Sequence, residues 1–275
     1  MLLNFHKYQG TGNDFIIIDN RNRQFGDLSV KKLCHTKFGI GADGLMLVQN
    51  KEGFDFEMVY YNSDGNISTM CGNGGRCIVE FAKQKGVFEG NETSFLAIDG
   101  PHKAIWKPGE VWLQMKDVHT IQKRSDGYIL NTGSPHYIVF SDIIRELDIV
   151  RQGMGIRYSE EFKTEGINVN FVKKTGKNRI SVRTYERGVE KETLSCGTGV
   201  TAAAIAFIKD SKETLEGVSQ EIEIETPGGK LSVSFDHNNG VFNNVWLKGP
   251  AIKVFEGDIL TDHFNKEFSP QNKIY

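Results

Sequence analysis

Apolar and polar residues alternate in short runs along most of this chain, the two-residue period of half-buried strands, and a helical period surfaces in few places. Strand composition marks residues 15–19, 45–49, 56–62, 94–99, 104–107 and 111–115. After Asp117 a similar series begins again, at 128–131, 137–140, 167–173, 179–186, 221–225, 230–235 and 245–248. Helices are predicted over 30–36, 75–85, 142–150 and 200–209.

The restart is also written in the residues. Gly10-Thr11-Gly12-Asn13 leads into the apolar run from Phe15, and Asn131-Thr132-Gly133-Ser134 leads through His136 into the run from Tyr137. Each is followed by a polar loop, 62–65 or 186–188, and then by a matched pair: Cys71-Gly72-Asn73-Gly74 and Cys196-Gly197-Thr198-Gly199. Each cysteine segment opens a predicted helix. The period is too long for a solenoid, so the pattern predicts two similar α/β (α+β) domains of mixed sheet and few helices. They are expected to comprise residues 1–117 and 118–250. Residues 251–275 have no counterpart at the end of the first half and are expected to cross back to the first domain.

Composition narrows the partners. The net charge of −2, from 33 basic and 35 acidic residues with no long basic run, argues against nucleic acid and anionic membrane surfaces. No apolar run approaches the roughly 20 residues that span a bilayer. The first residues lack the layout of a signal peptide, and four cysteines do not make a secreted disulfide framework. A cytoplasmic protein with reduced thiols is expected, and a homodimer is left open.

A cysteine at a helix start sits among unpaired N–H groups and the positive end of the dipole, which favour thiolate. Two such thiols, one from each half, suit a site needing acid and base on opposite faces of one carbon. The adjacent glycines let backbone N–H groups approach an anion closely. Other chemistries fit less well. Neither segment continues into Gly-Lys-Ser/Thr, so neither is a nucleotide P-loop, and a strand rather than a helix follows Gly10-Thr11-Gly12. Cys71 and Cys77 do not have zinc spacing, and no metal is expected. Cys34 and Cys77 read as core residues. Tyr185-Glu186-Arg187-Gly188 supplies a guanidinium able to grip a carboxylate and a carboxylate able to hold an ammonium or tune a thiol. Asn13, Asn62, Asn73 and Asn168 are neutral amides at turns or strand ends.

Together these segments resemble the diaminopimelate epimerase family, over Gly12–Phe15, Gly39–Gly44, Asn62–Gly65, Met70–Cys77, Gly133–His136, Asn168–Phe171 and Tyr185–Gly199. The resemblance implies two domains, each a curved mixed sheet or barrel around a central helix, with the site between them. It implies that Cys71 and Cys196 are the catalytic pair and that Gly72, Asn73, Gly197 and Thr198 bind the reacting carboxylate. Asn13, Asn62, Asn168, Glu186 and Arg187 would bind the rest of a diamino diacid, with His136 and Glu186 assisting proton transfer and no cofactor taking part. Many relatives carry Asn where this chain has Ser134, and some carry Gln where it has Gly44. The implied reaction interconverts LL- and meso-diaminopimelate in lysine and peptidoglycan precursor synthesis, with thiol pKa values tuned down toward neutrality. The alternatives are proline racemase or hydroxyproline epimerase, though proline lacks the second charged end that Arg187 and the amides favour, a thiol redox protein, and a non-catalytic amino-acid-binding protein.

Overall fold

A computed structural model describes residues 2–23, 25–211 and 219–265. The first half opens with β1 (Leu2–Gly10), paired antiparallel to β2 (Asn13–Asp19). A short α1 (Val30–Leu33) follows, then β3 (Gly44–Gln49), parallel to β2, and β4 (Phe56–Asn62), antiparallel to β3. Next come α2 (Gly72–Gln84), β5 (Glu92–Ala97), β6 (Gly100–Lys107) and β7 (Glu110–Gln114), with β5 parallel to β4 and the last two antiparallel.

The second half repeats this order. β8 (Ile121–Lys123) lies beside β9 (Gly127–Asn131), which pairs antiparallel to β10 (Pro135–Phe140). After α3 (Ile149–Arg157), β11 (Asn168–Gly176) runs parallel to β10, and β12 (Arg179–Glu186) antiparallel to β11, with β13 (Lys191–Thr193) on its flank. Then come α4 (Gly197–Asp210), β14 (Ser219–Thr226) parallel to β12, β15 (Gly229–Asn238) and β16 (Val241–Gly249). The equivalent strands β7 and β16 pair with each other, Leu113 opposite Leu247, and so join the halves.

Each half curls around its cysteine-led helix. α2 packs against β1, β2, β3, β6 and β7, and α4 against β9 through β12 and β14 through β16. α4 is buried almost all round because Ala202, Ala203, Ala204 and Ala206 let the strands come close. β2 explains why some strands read as continuous apolar runs: Phe15 and Ile17 face α2, while Ile16 and Ile18 face the outer cluster under α1.

Several expectations change. The final strand β17 (Ile252–Leu260) pairs with β1, Leu3 opposite Ile259, as β8 pairs with β9. The C-terminal segment therefore does have a counterpart, in the short β8: β17 flanks β1 as β8 flanks β9, the equivalent strand of the second half. Residues 266–275 lie outside the described residues. The helix expected over 142–150 begins instead at Ile149, where the Asp148 side chain accepts the Arg151 N–H at 3.0 Å, while 142–146 form turns. α1 stops at Leu33, short of the expected 36.

Candidate functional site

The starts of α2 and α4 touch. A Cβ at Gly72 would lie 3.1 Å from the Gly197 Cα, and one at Gly197 would lie 3.0 Å from the Gly72 Cα. Any larger residue at either point would push one helix start off the other. Cys71 and Cys196 are the N-cap residues of the two helices, so both thiols stand where the first N–H groups lack helical partners. Helical bonding begins only with Gly75 N–H to Cys71 O and Val200 N–H to Cys196 O, leaving the amides before them for a ligand. One of these, from Gly74, donates to the Cys71 sulfur at 3.2 Å.

The thiols do not sit near neutrality. Burial pushes Cys71 up to about 11, with the Glu186 charge adding to the rise and the Gly74 amide and Arg76 opposing it. Burial pushes Cys196 up to about 12, again with Glu186 adding and the Thr198 hydroxyl opposing. The helix starts pull toward thiolate as expected, but desolvation wins. Glu186 is itself raised by burial and by the nearby Asp43 charge, with the Thr193 hydroxyl opposing.

Around Cys196 the polar groups form a chain. The sulfur lies 3.5 Å from the Thr198 Oγ1, which is 2.9 Å from the His136 Nε2, and the His136 Nδ1 is 2.8 Å from the Asn170 Oδ1. The Asn170 Nδ2 donates to the Thr184 hydroxyl, so its Oδ1 accepts from Nδ1–H and leaves Nε2 as an acceptor. Thr198 then donates to His136 and can accept from the thiol. Burial holds His136 down to about 4, so the ring is neutral. The carbonyl of Thr198 is held by the Thr132 hydroxyl at 2.8 Å.

Around Cys71 the network ties the halves together. The Asn73 amide donates to the Asn13 Oδ1 at 2.5 Å and to the Ser195 carbonyl at 3.1 Å, one residue before Cys196. Its Oδ1 accepts from Arg76 at 2.9 Å and from the Thr11 hydroxyl at 3.2 Å. The Asn73 side chain is thus fully engaged within the protein, while its backbone N–H, like that of Gly74, acts to lower the Cys71 thiol. Asn13 also donates to Asp43 at 2.9 Å, and the Asp43 N–H donates to Asp14 at 3.0 Å.

Asn168, Ser134 and Arg187 gather at the ends of β11 and β12. The Asn168 amide donates to the Ser134 hydroxyl at 2.8 Å, and its Oδ1 accepts the Arg187 N–H at 2.9 Å. The Arg187 guanidinium reaches the Glu165 carbonyl at 2.9 Å and the Ser134 hydroxyl at 3.5 Å. Asn62 sits opposite Gly44 in the β3–β4 register. Gly44 is required here because a Cβ would fall 2.5 Å from the Tyr60 ring and 2.6 Å from the Tyr61 carbonyl. A surface hollow of about 470 Å³ lined by Glu110, Arg179, Glu223 and Lys230 includes none of these residues.

Sequence reasoning gave no role to Asn170, Ser195, Asp43 or Arg76. Asn170 carried a readable signal, standing two residues after Asn168 between the apolar Val169 and Phe171. Asp43 and Ser195 act through contacts distant in sequence, which no local pattern records.

The diaminopimelate epimerase family model matches residues 5–120 and 128–254. The chain is 51% identical to the diaminopimelate epimerase of Flavobacterium psychrophilum, covering 94% of this chain and 100% of that one. It is 36% identical to that of Aquifex aeolicus, over 93% and 97% of the two chains. Among solved structures, a Bacillus anthracis phenazine biosynthesis protein shares the fold with a TM-score of 0.74 at 13% identity, covering 94% of this chain and 99% of that one. A hydroxyproline epimerase from Agrobacterium vitis does so with 0.64 at 15%, over 94% and 91%. The family match over both halves and the identity to full-length relatives leave one conclusion: this chain belongs to the diaminopimelate epimerase family.

Proposed function

We propose that this chain interconverts LL- and meso-diaminopimelate by a two-thiol mechanism at the junction of α2 and α4, supplying lysine and peptidoglycan precursor synthesis in the cytoplasm. The observation that carries this reading is the contact of the two helix starts at Gly72 and Gly197, which puts an N-cap thiol from each half beside the first amides of both helices. The working division is 1–117 with the returning 251–260 segment, and 118–250; the pairing of β17 with β1 supports it.

The substrate's reacting carboxylate is read as lying between the two sets of amides, from Gly72 and Asn73 and from Gly197 and Thr198. As one thiolate removes the α-proton, negative charge grows on that carboxylate, and preset amides in a dry site stabilise it. The other thiol then delivers a proton from the opposite face. Both thiols are neutral at rest, so the base must form when substrate binds, one thiol losing its proton to water as the site closes over the substrate. An ammonium group brought near Glu186 offsets the negative charge that helps raise both thiols. His136 steadies the Cys196 side through the Thr198 hydroxyl rather than by touching the sulfur. Arg187 and Ser134, with Asn168 beside them, suit the distal carboxylate and ammonium, an end that proline lacks, and Asn62 is assigned to the same end.

The test is incubation of the reduced protein with LL-diaminopimelate in D2O, following Cα deuterium by NMR, with proline as the comparison substrate. Exchange on diaminopimelate alone is expected. Exchange on proline instead would move the substrate to the racemase class, and no exchange on either would contradict an epimerase.

A further inference from the structure

Arg76 is the largest fully buried side chain of the described residues, and among them no carboxylate pairs with it. Its guanidinium donates to four neutral acceptors: the Gly72 carbonyl at 3.1 Å, the Thr11 hydroxyl at 3.1 Å, the Asn73 Oδ1 at 2.9 Å and the Pro250 carbonyl at 3.3 Å. A lone buried cation is costly unless something nearby gains from it.

The duplication supplies an internal comparison. Arg76 lies five residues after Cys71, and Thr201 lies five residues after Cys196. Both are fully buried, and both donate to the carbonyl of the first helical glycine: Arg76 to Gly72, and the Thr201 hydroxyl to Gly197 at 2.9 Å. The same geometry is therefore made with a charged donor in one half and a neutral donor in the other. The Gly72 carbonyl belongs to the peptide whose N–H is that of Asn73, one of the amides assigned to the reacting carboxylate. A charge-assisted bond to the oxygen of a peptide strengthens its N–H as a donor.

We infer that Arg76 is a positioning residue that makes the two half-sites unequal: its buried charge polarises the Gly72–Asn73 peptide, so the α2 start holds negative charge more strongly than the α4 start. As pH rises, Cys71 then ionises before Cys196. The other titratable groups facing Cys71 are Glu186 from β12, Tyr60 from β4, Cys196 from α4 and Cys77 from α2. None of these is a cation.

The inference rests on reading Cys71 and Cys196 as the paired site thiols, but it is tested without turnover. The pH dependence of iodoacetamide alkylation is measured for each thiol by peptide mass spectrometry in the full chain. In the unaltered protein Cys71 should react at lower pH than Cys196; the reverse order overturns the inference. Arg76→Gln should slow Cys71 alkylation at fixed pH by about threefold or more, half a pH unit, and leave Cys196 unmoved. No change, or an equal change at both thiols as from general loosening, overturns it. Arg76→Lys keeps the charge but not the fork of hydrogen bonds, and serves also if the Gln variant fails to fold. Retention of the Cys71-first order there supports an electrostatic role, and its loss overturns it. Absence of epimerase turnover in the unaltered protein, with these profiles as expected, would count against the proposed function alone.

Discussion

Replacing Gly197 by alanine places a methyl group 3.0 Å from the Gly72 Cα and 3.0 Å from the Leu247 Cδ2. The leucine can turn aside, but the Gly72 Cα is backbone at the start of the other helix. Restoring an ordinary carbon–carbon contact requires the two starts to part by about half an ångström. Overpacking of this kind costs about 1–3 kcal/mol. Alanine in place of glycine near a helix start returns up to about 1 kcal/mol of propensity. The net loss of stability is then at most about 3 kcal/mol, a fall in Tm of no more than roughly 6–12 °C for a chain of this size. Catalysis should suffer far more, because misplacing reacting groups by about 1 Å can cost on the order of 100-fold. A fall in kcat of about ten- to a hundredfold is expected, with the protein folded. Thermal unfolding and NMR-followed epimerisation measure the two effects on the same sample. A Gly197→Ala protein with kcat within about threefold of the parent would refute the claim that contact of the helix starts sets the site.

Thr198→Val removes the hydroxyl between Cys196 and His136 while keeping its shape; kcat should fall by about 100-fold and Cys196 alkylation should move to higher pH, and two unchanged readings would sever the His136 connection. Glu186→Gln should make both thiols react faster with iodoacetamide at a given pH even as turnover falls, since the Glu186 charge raises both; slower alkylation would contradict that electrostatic role. Burial holds His136 and His6 down to about 4. The unfolded chain, with its histidines near 6.5, therefore binds more protons below that pH. Stability should be full above pH 6.5 and drain away as pH falls toward 4, and a urea midpoint unchanged between pH 7 and 4.5 would contradict it.

The duplication was legible because it is carried by residue types with strict local roles: the Thr-Gly turns and the cysteine-glycine helix starts. Strands such as β14 were legible because Gln220, Ile222, Ile224 and Thr226 alternate inward against exposed neighbours. β1 was not, since it buries His6 and Lys7 as well as Leu3 and Phe5, and the polar letters hide the strand. β17 was hidden for the opposite reason: most of its side chains are exposed and backbone pairing to β1 defines it. α3 was displaced because Ile143, Ile144 and Leu147 look helical, while Gly153, needed where its Cβ would fall 2.4 Å from Tyr185, looks like a breaker. At the site, the thiols and their partners were readable as motifs. The rise of both thiols was not, because it comes from burial between two halves that meet only in the folded chain.

The central claim is that two thiols act from opposite faces of one carbon, and deuterium at early turnover tests it most directly. LL-diaminopimelate is incubated in D2O, and product and recovered substrate are analysed within the first few percent of reaction. Two monoprotic bases predict meso product labelled at the inverted carbon and recovered LL substrate without label. Deuterium appearing in recovered substrate as early as in product would mean that one base serves both faces, and the account of the paired cysteines would fail.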